Sequence, residues 1–164
     1  MNNNISTLKL SWKDIENIID ETISIIEQDY FPDIIIAIQR GGCIPSVILS
    51  HRLSIREMIS VDVKITVNDS INSPKITPII QHNPCINKIS KKKVLIVDDI
   101  IGSGKTFDIL IDYVKKFNPS EIRSFVCVVN KSNWDKSNNY SFRNIINYIG
   151  LETNKWVEFP WENR

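Results

Sequence analysis

The chain has 164 residues, the size of one ordinary domain, and can bury roughly 70% of the surface its unfolded form exposes. At 42% hydrophobic and 24% charged it sits near globular averages, which excludes a disordered tail, a collagen-like repeat and a disulfide-stapled mini-protein. Twenty basic against nineteen acidic side chains leave a net charge of +1, so bulk electrostatics favour neither nucleic acid nor an anionic membrane as partner, and any anion must be bound locally.

Met1-Asn2-Asn3-Asn4 lacks the apolar core of a signal peptide, and no apolar run nears the roughly 18 residues of a membrane span, so a cytoplasmic protein is expected. Ser11 reads as a helix cap with Asp14 three residues on, and Ile15, Ile18, Ile19, Ile23 and Ile26 follow at helical spacing. The pattern predicts an amphipathic helix over 12–28, ended by Tyr30-Phe31-Pro32. Asp33 to Ile38 is a nearly continuous apolar run, the mark of a strand covered on both faces. Gln39-Arg40-Gly41-Gly42 follows, and Pro45, suited to a first helical position, opens a helix to about Leu53.

A strand is expected from Met58 to Val67. Residues 68–92 hold three prolines, many Asn and Ser and little periodicity, and read as a long loop, either an active-site cover or simple disorder. Lys91-Lys92-Lys93, read as solvated residues at a sheet edge, lead into a second buried strand, Val94-Leu95-Ile96-Val97, which ends at Asp98-Asp99 and a Gly-Ser-Gly turn. A helix over 105–117 and a third buried strand, Ile122 to Val129, complete the alternation, with Asn130-Lys131 at the strand end. The three cysteines, Cys43, Cys85 and Cys127, are far apart with no Cys-x-x-Cys pair and read as free, mostly buried thiols.

Alternating strands and helices predict an α/β domain with a mostly parallel central sheet flanked by helices. Ligands of such sheets bind outside the carboxyl ends of the strands. Arg40-Gly41-Gly42, the stretch from Asp98 to Thr106, and Lys131 all fall there.

The segment Val94 to Thr106 carries the sharpest chemistry. Its end, Gly-Ser-Gly-Lys-Thr, imitates a nucleotide-binding P-loop, but the frame fails: Asp99 stands where the first glycine of that motif belongs. A carboxylate there would face a polyphosphate. Backbone amides from Gly102 through Ser103, Gly104 and Lys105 to Thr106, at a helix N-terminus with two hydroxyls, suit a single phosphate monoester. Asp98 and Asp99 either accept hydrogen bonds from two neighbouring hydroxyls, as on a ribose, or hold a hydrated Mg²⁺. The bland alternative is an acidic turn capping a helix.

In this order, after a buried strand, the thirteen residues resemble the phosphoribosyl-binding motif of the type I phosphoribosyltransferases, which use phosphoribosyl pyrophosphate (PRPP). The stretch from Ile35 to Leu53 is similar to the region around that family's pyrophosphate loop. Lys155-Trp156-Val157-Glu158-Phe159-Pro160-Trp161-Glu162 is similar to the C-terminal segment of bacterial xanthine-guanine enzymes. The resemblance implies a single domain over 1–164, with 68–92 as a loop and 150–164 as a small base-binding hood.

It further implies that Arg40, Gly41 and Gly42 grip pyrophosphate, in a loop often built on a strained or cis peptide, and that Asp98, Asp99 and Arg40 serve catalysis with Asp99 at the metal, Mg²⁺. Lys131 would meet an exocyclic oxygen of the base, Trp156 would stack on its ring and Val157 would read its edge through the backbone. Glu158 and Glu162 are open between an exocyclic amine and a metal-bound water, and Phe159 and Trp161 are read as packing. Implied partners are PRPP, a nitrogenous base of purine type, and further copies of the chain in a dimer or tetramer. One position departs: where the 6-oxopurine enzymes usually carry an aspartate at the start of the phosphate loop, this chain has Gly102. That leaves the acceptor base open, and with it a second reading, a ligand-sensing relative without turnover.

Overall fold

The first helix begins with a reciprocal exchange of hydrogen bonds. In the computed structural model, which describes residues 6–66, 75–81, 83–134 and 139–162, the Asp14 amide donates to Ser11 Oγ at 3.2 Å and the Ser11 amide donates to the Asp14 carboxylate at 2.8 Å. The short strand β1 (Thr7–Lys9) precedes this box, and helix α1 (Trp12–Asp29) follows it, burying Ile15, Ile19, Ile23 and Ile26 on one stripe. Tyr30 ends the helix, and its hydroxyl donates to the Val94 carbonyl at 2.8 Å, tying the helix end to the sheet.

The remaining elements are β2 (Ile34–Gln39), α2 (Cys43–Arg52), β3 (Glu57–Thr66), β4 (Lys75–Ile80), β5 (Lys93–Ile101), α3 (Lys105–Lys115), β6 (Glu121–Asn130), β7 (Tyr148–Thr153) and β8 (Trp156–Glu158). Six strands form one sheet in the order β4-β3-β2-β5-β6-β7, parallel except for the antiparallel edge strand β4. Alternation along β2 sends Ile35 into one core with α1 and α2, and Ile34, Ile36 and Ile38 into the other with α3. Both faces are covered, so the central strands read as unbroken apolar runs. Each fully buried Ile contributes roughly 1.5–3 kcal/mol relative to exposure. Among the described residues, no helix is long and apolar enough to cross a membrane.

Several expectations need correction. Helix α2 begins at Cys43, two residues before Pro45, which occupies its first turn. Strand β5 does not end at the acidic pair but runs through it to Ile101, because β6 continues to pair with it as far as Ile101↔Val129. It is a central strand, so the three lysines do not mark an edge; Lys92 instead pairs with Glu57 at 2.7 Å. The segment 68–92 is not all loop: it contains β4 and a 3-10 turn, Ile86–Ile89, whose two isoleucines are buried, while 67–74 and 82 lie outside the described residues. Proline inside β4 is compatible with its edge position, where an amide can be dispensed with. Of the cysteines only Cys127 is buried; Cys85 is exposed and Cys43 intermediate.

The sequence periodicity does not reveal the small second sheet. β1 pairs in parallel with β8, Leu8 opposite Val157, and the Trp156 amide donates to the Ser6 carbonyl at 3.0 Å. The start of the described chain thus fixes the C-terminal segment against the main body, where Val157 and Phe159 enter the α1 core.

Candidate active site

The sheet order creates a crevice between β2 and β5. From β2 the chain passes through α2 to β3 on one side, then returns to β5 on the other side of β2, so the connections at the carboxyl ends of β2 and β5 diverge. The Arg40-Gly41-Gly42 turn leaves one of these ends and Asp98 to Gly104 leaves the other. The Gln39–Arg40 peptide is cis.

The two segments touch. A Cβ placed on Gly41 would lie 1.8 Å from Asp99 Oδ2, and one on Gly42 would lie 2.7 Å from the Val97 carbonyl and 2.9 Å from Asp98 Cα. Glycine is required here by close approach: the arginine turn lies directly on the acidic pair. The Asp99 amide donates to Asp98 Oδ1 at 2.9 Å, and the Ile100 amide donates to Asp99 Oδ1 at 2.8 Å, so each carboxyl is oriented by the next backbone amide.

Beyond the acids, a cavity of about 210 Å³ is lined by Asp98, Ile100 through Gly104, Thr106 and Phe107. Gly104 sits at φ 85°, a left-handed conformation that favours glycine, and occupies the cap position of α3 without a side-chain hydrogen bond. The cavity therefore lies at the N-terminus of α3, whose first-turn amides have no acceptor within the helix, with Ser103 and Thr106 in its lining. Lys105 opens the helix and lies exposed, outside the cavity lining.

Burial is the largest influence on Asp98 and holds its carboxyl well above the usual range, with the neighbouring Asp99 charge adding to it. Asp99 is also raised, again chiefly by burial, although its side-chain hydrogen bond to Asp98 acts in the opposite sense. Both carboxyls are thus raised, Asp98 the more strongly. Glu162, whose carboxylate accepts from the Phe159 amide at 3.0 Å, adds a further negative influence on Asp99. The nearby thiols of Cys43 and Cys127 are pushed up by burial first and then by both acids, so neither is a ready thiolate nucleophile.

Of the expected base-side residues, Lys131 follows the end of β6, and Trp156 and Val157 lie on β8. Lys131 begins a 3-10 turn, Lys131–Asn133, and its ammonium lies 3.5 Å from Glu152 on β7. Trp156 is exposed at the start of β8, whereas Val157 is buried. Phe159 and Trp161 stack at 4.7 Å between ring centres, which bears out their reading as packing. Glu158 is engaged by Lys9 at 3.1 Å. Asn130, Asn133, Trp134 and Glu152 were not singled out in the sequence. The Trp134 ring covers Gly104, where a Cβ would approach it to 2.8 Å, and packs edge-on to Tyr140 and Phe142.

A family model described as the phosphoribosyl transferase domain matches residues 10–162. The chain is a phosphoribosyltransferase. A purine phosphoribosyltransferase from Pyrococcus horikoshii Ot3 is 30% identical, with 98% of this chain and 96% of that chain covered and a TM-score of 0.75. The fold is shared with a hypothetical protein from Neisseria gonorrhoeae with bound ppGpp (21% identity, 99% and 92% covered, TM-score 0.76). It is shared as well with the Helicobacter pylori xanthine-guanine-hypoxanthine phosphoribosyltransferase (20%, 95% and 94%, TM-score 0.73).

Within this phosphoribosyltransferase the Gly102 departure has a steric counterpart. A Cβ at Gly102 would lie 3.3 Å from Asn133 Cβ, so the turn after β6 closes over the position where the resemblance leads one to look for an aspartate. A side chain there would have to push Asn133 aside.

The raised Asp98 also has a consequence for stability. In the ordinary carboxylate range the unfolded chain loses the Asp98 proton while the fold retains it. Its contribution is therefore complete below that range and fades as pH rises through the elevated folded value. Asp98→Asn keeps the acceptor for the Asp99 amide and removes the buried acid. Its melting temperature should exceed that of the wild type by roughly 2–4 °C at neutral pH, the advantage shrinking towards pH 4. Thermal melts of the ligand-free proteins between about pH 4 and pH 8 measure this. An advantage that grows on acidification would contradict the assignment.

Proposed function

We propose that this phosphoribosyltransferase moves the phosphoribosyl group of PRPP to a nitrogenous base of purine type, releasing pyrophosphate, as a Mg²⁺-dependent enzyme of nucleotide salvage in the cytoplasm. The observation that carries the reading is the contact of the Arg40-Gly41-Gly42 turn with the acidic pair, of which Asp98 lines the cavity at the start of α3. Three binding functions that PRPP needs, for a 5′-phosphate, a diol and a pyrophosphate, then occur side by side.

In this reading the 5′-phosphate accepts from the amides of Gly102, Ser103, Gly104, Lys105 and Thr106 and from the two hydroxyls, aided by the α3 dipole. Asp98 and Asp99 accept from the ribose hydroxyls. Arg40 and the amides of Gly41 and Gly42 take the pyrophosphate, for which a planar, permanently charged guanidinium is well suited. The bond from C1′ to the pyrophosphate oxygen breaks as the bond from C1′ to the base nitrogen forms. Positive charge builds on the sugar and negative charge on the leaving group. The ring nitrogen's proton passes to solvent or a nearby acceptor. The protein's task is positioning and charge stabilisation, with no covalent intermediate.

The donor set fits Mg²⁺. It offers carboxylate oxygens, the donors of a hard cation that is held by one or two carboxylates and by substrate oxygens. Asp99 is the protein ligand in this reading, and Glu162 beside it suits a metal-bound water. When bound, the ion would supply charge neutralisation for the leaving pyrophosphate. Lys131 meets an exocyclic oxygen of the base, Trp156 stacks on the ring and the Val157 backbone reads its edge, so that 150–164 acts as the hood. The enzyme works as a dimer or tetramer.

A second reading, a sensor that binds a nucleotide without turnover, is favoured by one feature, Gly102 covered by Asn133, and by the ppGpp bound to the Neisseria neighbour. Incubation with PRPP, Mg²⁺ and adenine, guanine, hypoxanthine or xanthine, with pyrophosphate measured, separates the two. Turnover with at least one base is expected; binding of PRPP without release for every base would favour the sensor.

A further inference from the structure

Asn130 is the last residue of β6, opposite Thr153 of β7, and is only 3% exposed. Its amide is fully directed. Oδ1 accepts from the Ser132 amide at 3.2 Å and from the Ser132 hydroxyl at 2.7 Å, and Nδ2 donates to the Lys155 carbonyl at 3.1 Å. The backbone partners fix which way the amide faces, since an N–H requires the oxygen and a carbonyl requires the NH₂. The Ser132 hydroxyl also lies 3.2 Å from the Asn154 carbonyl, although its one proton goes to the shorter contact.

These bonds lead to two places. Ser132 lies in the turn that begins with Lys131, and Lys155 directly precedes Trp156. Each of these three hydrogen bonds reaches the lysine turn or the loop between β7 and β8. A strand terminus that only closed the sheet would not need a buried amide, which must satisfy each polar atom or lose stability. We propose that Asn130, assisted by Ser132, is a positioning residue for the acceptor base: it holds Lys131 and Trp156 at a fixed separation, so that the lysine reaches the edge of the ring whose face the indole covers. This rests on the transferase reading above and adds to it a residue that touches neither substrate.

The arrangement separates the two substrates. The PRPP-side groups lie on β2, β5 and the start of α3, and the base-side groups on the loops that Asn130 joins. Loosening that joint should weaken the base site alone. With a base that the wild-type enzyme accepts, Asn130→Ala should raise the KM for base about tenfold or more while the KM for PRPP stays within about twofold. Ser132→Ala should raise the base KM about threefold, and Ser132→Thr, which keeps a hydroxyl, should restore it. Ser132 is exposed, so its variants test the idea even if Asn130→Ala does not fold. An unchanged base KM in Ser132→Ala, or equal increases in both KM values, would overturn the positioning role while leaving the transferase reading intact. A wild-type chain that turns over no base would overturn the transferase reading and this role with it.

Discussion

Asp99→Asn is expected to lower kcat by about two to three orders of magnitude, the loss typical of removing one oriented electrostatic group from a reacting centre. The substitution is nearly isosteric. The remaining carbonyl oxygen still accepts from the Ile100 amide, and the side chain still fills the space beside Gly41. What disappears is the ionisable carboxylate, at the acid that lies directly against the arginine turn. With it goes the group proposed to hold the cation and one hydroxyl of the ribose as positive charge grows at C1′. The effect should appear in kcat and in kcat/KM together, because the interaction strengthens in the transition state. Steady-state assays at saturating PRPP and base, paired with thermal melts, are the measurement. A kcat within about threefold of wild type in a folded protein would remove Asp99 from the chemistry.

The same acids explain why the core of this site is legible in the sequence. β2 and β5 carry apolar residues on both faces because α1 and α2 cover one face and α3 the other, so each announces itself as an uninterrupted run. What breaks the run at its carboxyl end stands out by contrast: Arg-Gly-Gly after β2, and Asp-Asp followed by Gly-Ser-Gly along and beyond β5. Hydrophobic patterning thus locates the ligand face before any side chain is placed. The capping box of α1 is legible for a similar reason, since its partners are three residues apart and the exchange is local.

The hood and the edges are illegible for the opposite reason. β1 and β8 are three residues each and stabilise one another from nearly opposite ends of the chain, so neither has a local period to read. β4 carries a proline that its edge position accommodates. β7 carries Gly150, where a Cβ would lie 2.2 Å from Ile18 Cγ2, so the glycine is what allows α1 to pack against the sheet. Asn130 is hidden more completely. A polar residue at the end of an apolar run reads as a terminator, and only the positions of Ser132 and Lys155 show that its amide is used.

Gly41 and Gly42 are adjacent, yet their replacement should fail in different ways. At Gly42 the backbone is ordinary, φ −62° and ψ −18°, so conformation does not demand glycine. Space does: a Cβ would meet the Ile38 carbonyl at 2.6 Å, the Val97 carbonyl at 2.7 Å and Asp98 Cα at 2.9 Å. These are backbone atoms of two central strands, which cannot yield without disturbing the β2/β5 ladder. Gly42→Ala should therefore cost about 3 kcal/mol or more, near the upper end for overpacking, and lower the melting temperature by roughly 6–12 °C. At Gly41 the nearest atoms, at 1.8, 2.3 and 2.7 Å, all belong to the Asp99 carboxylate, the free end of a side chain. That group can rotate away, so Gly41→Ala should lower the melting temperature by only a few degrees while kcat falls about tenfold or more, because the displaced acid is the one the chemistry uses. Melting curves and kcat on the two variants decide it. Equal losses of stability would mean that the Arg40 turn is braced by the strands at both positions, and that its contact with Asp99 is packing alone.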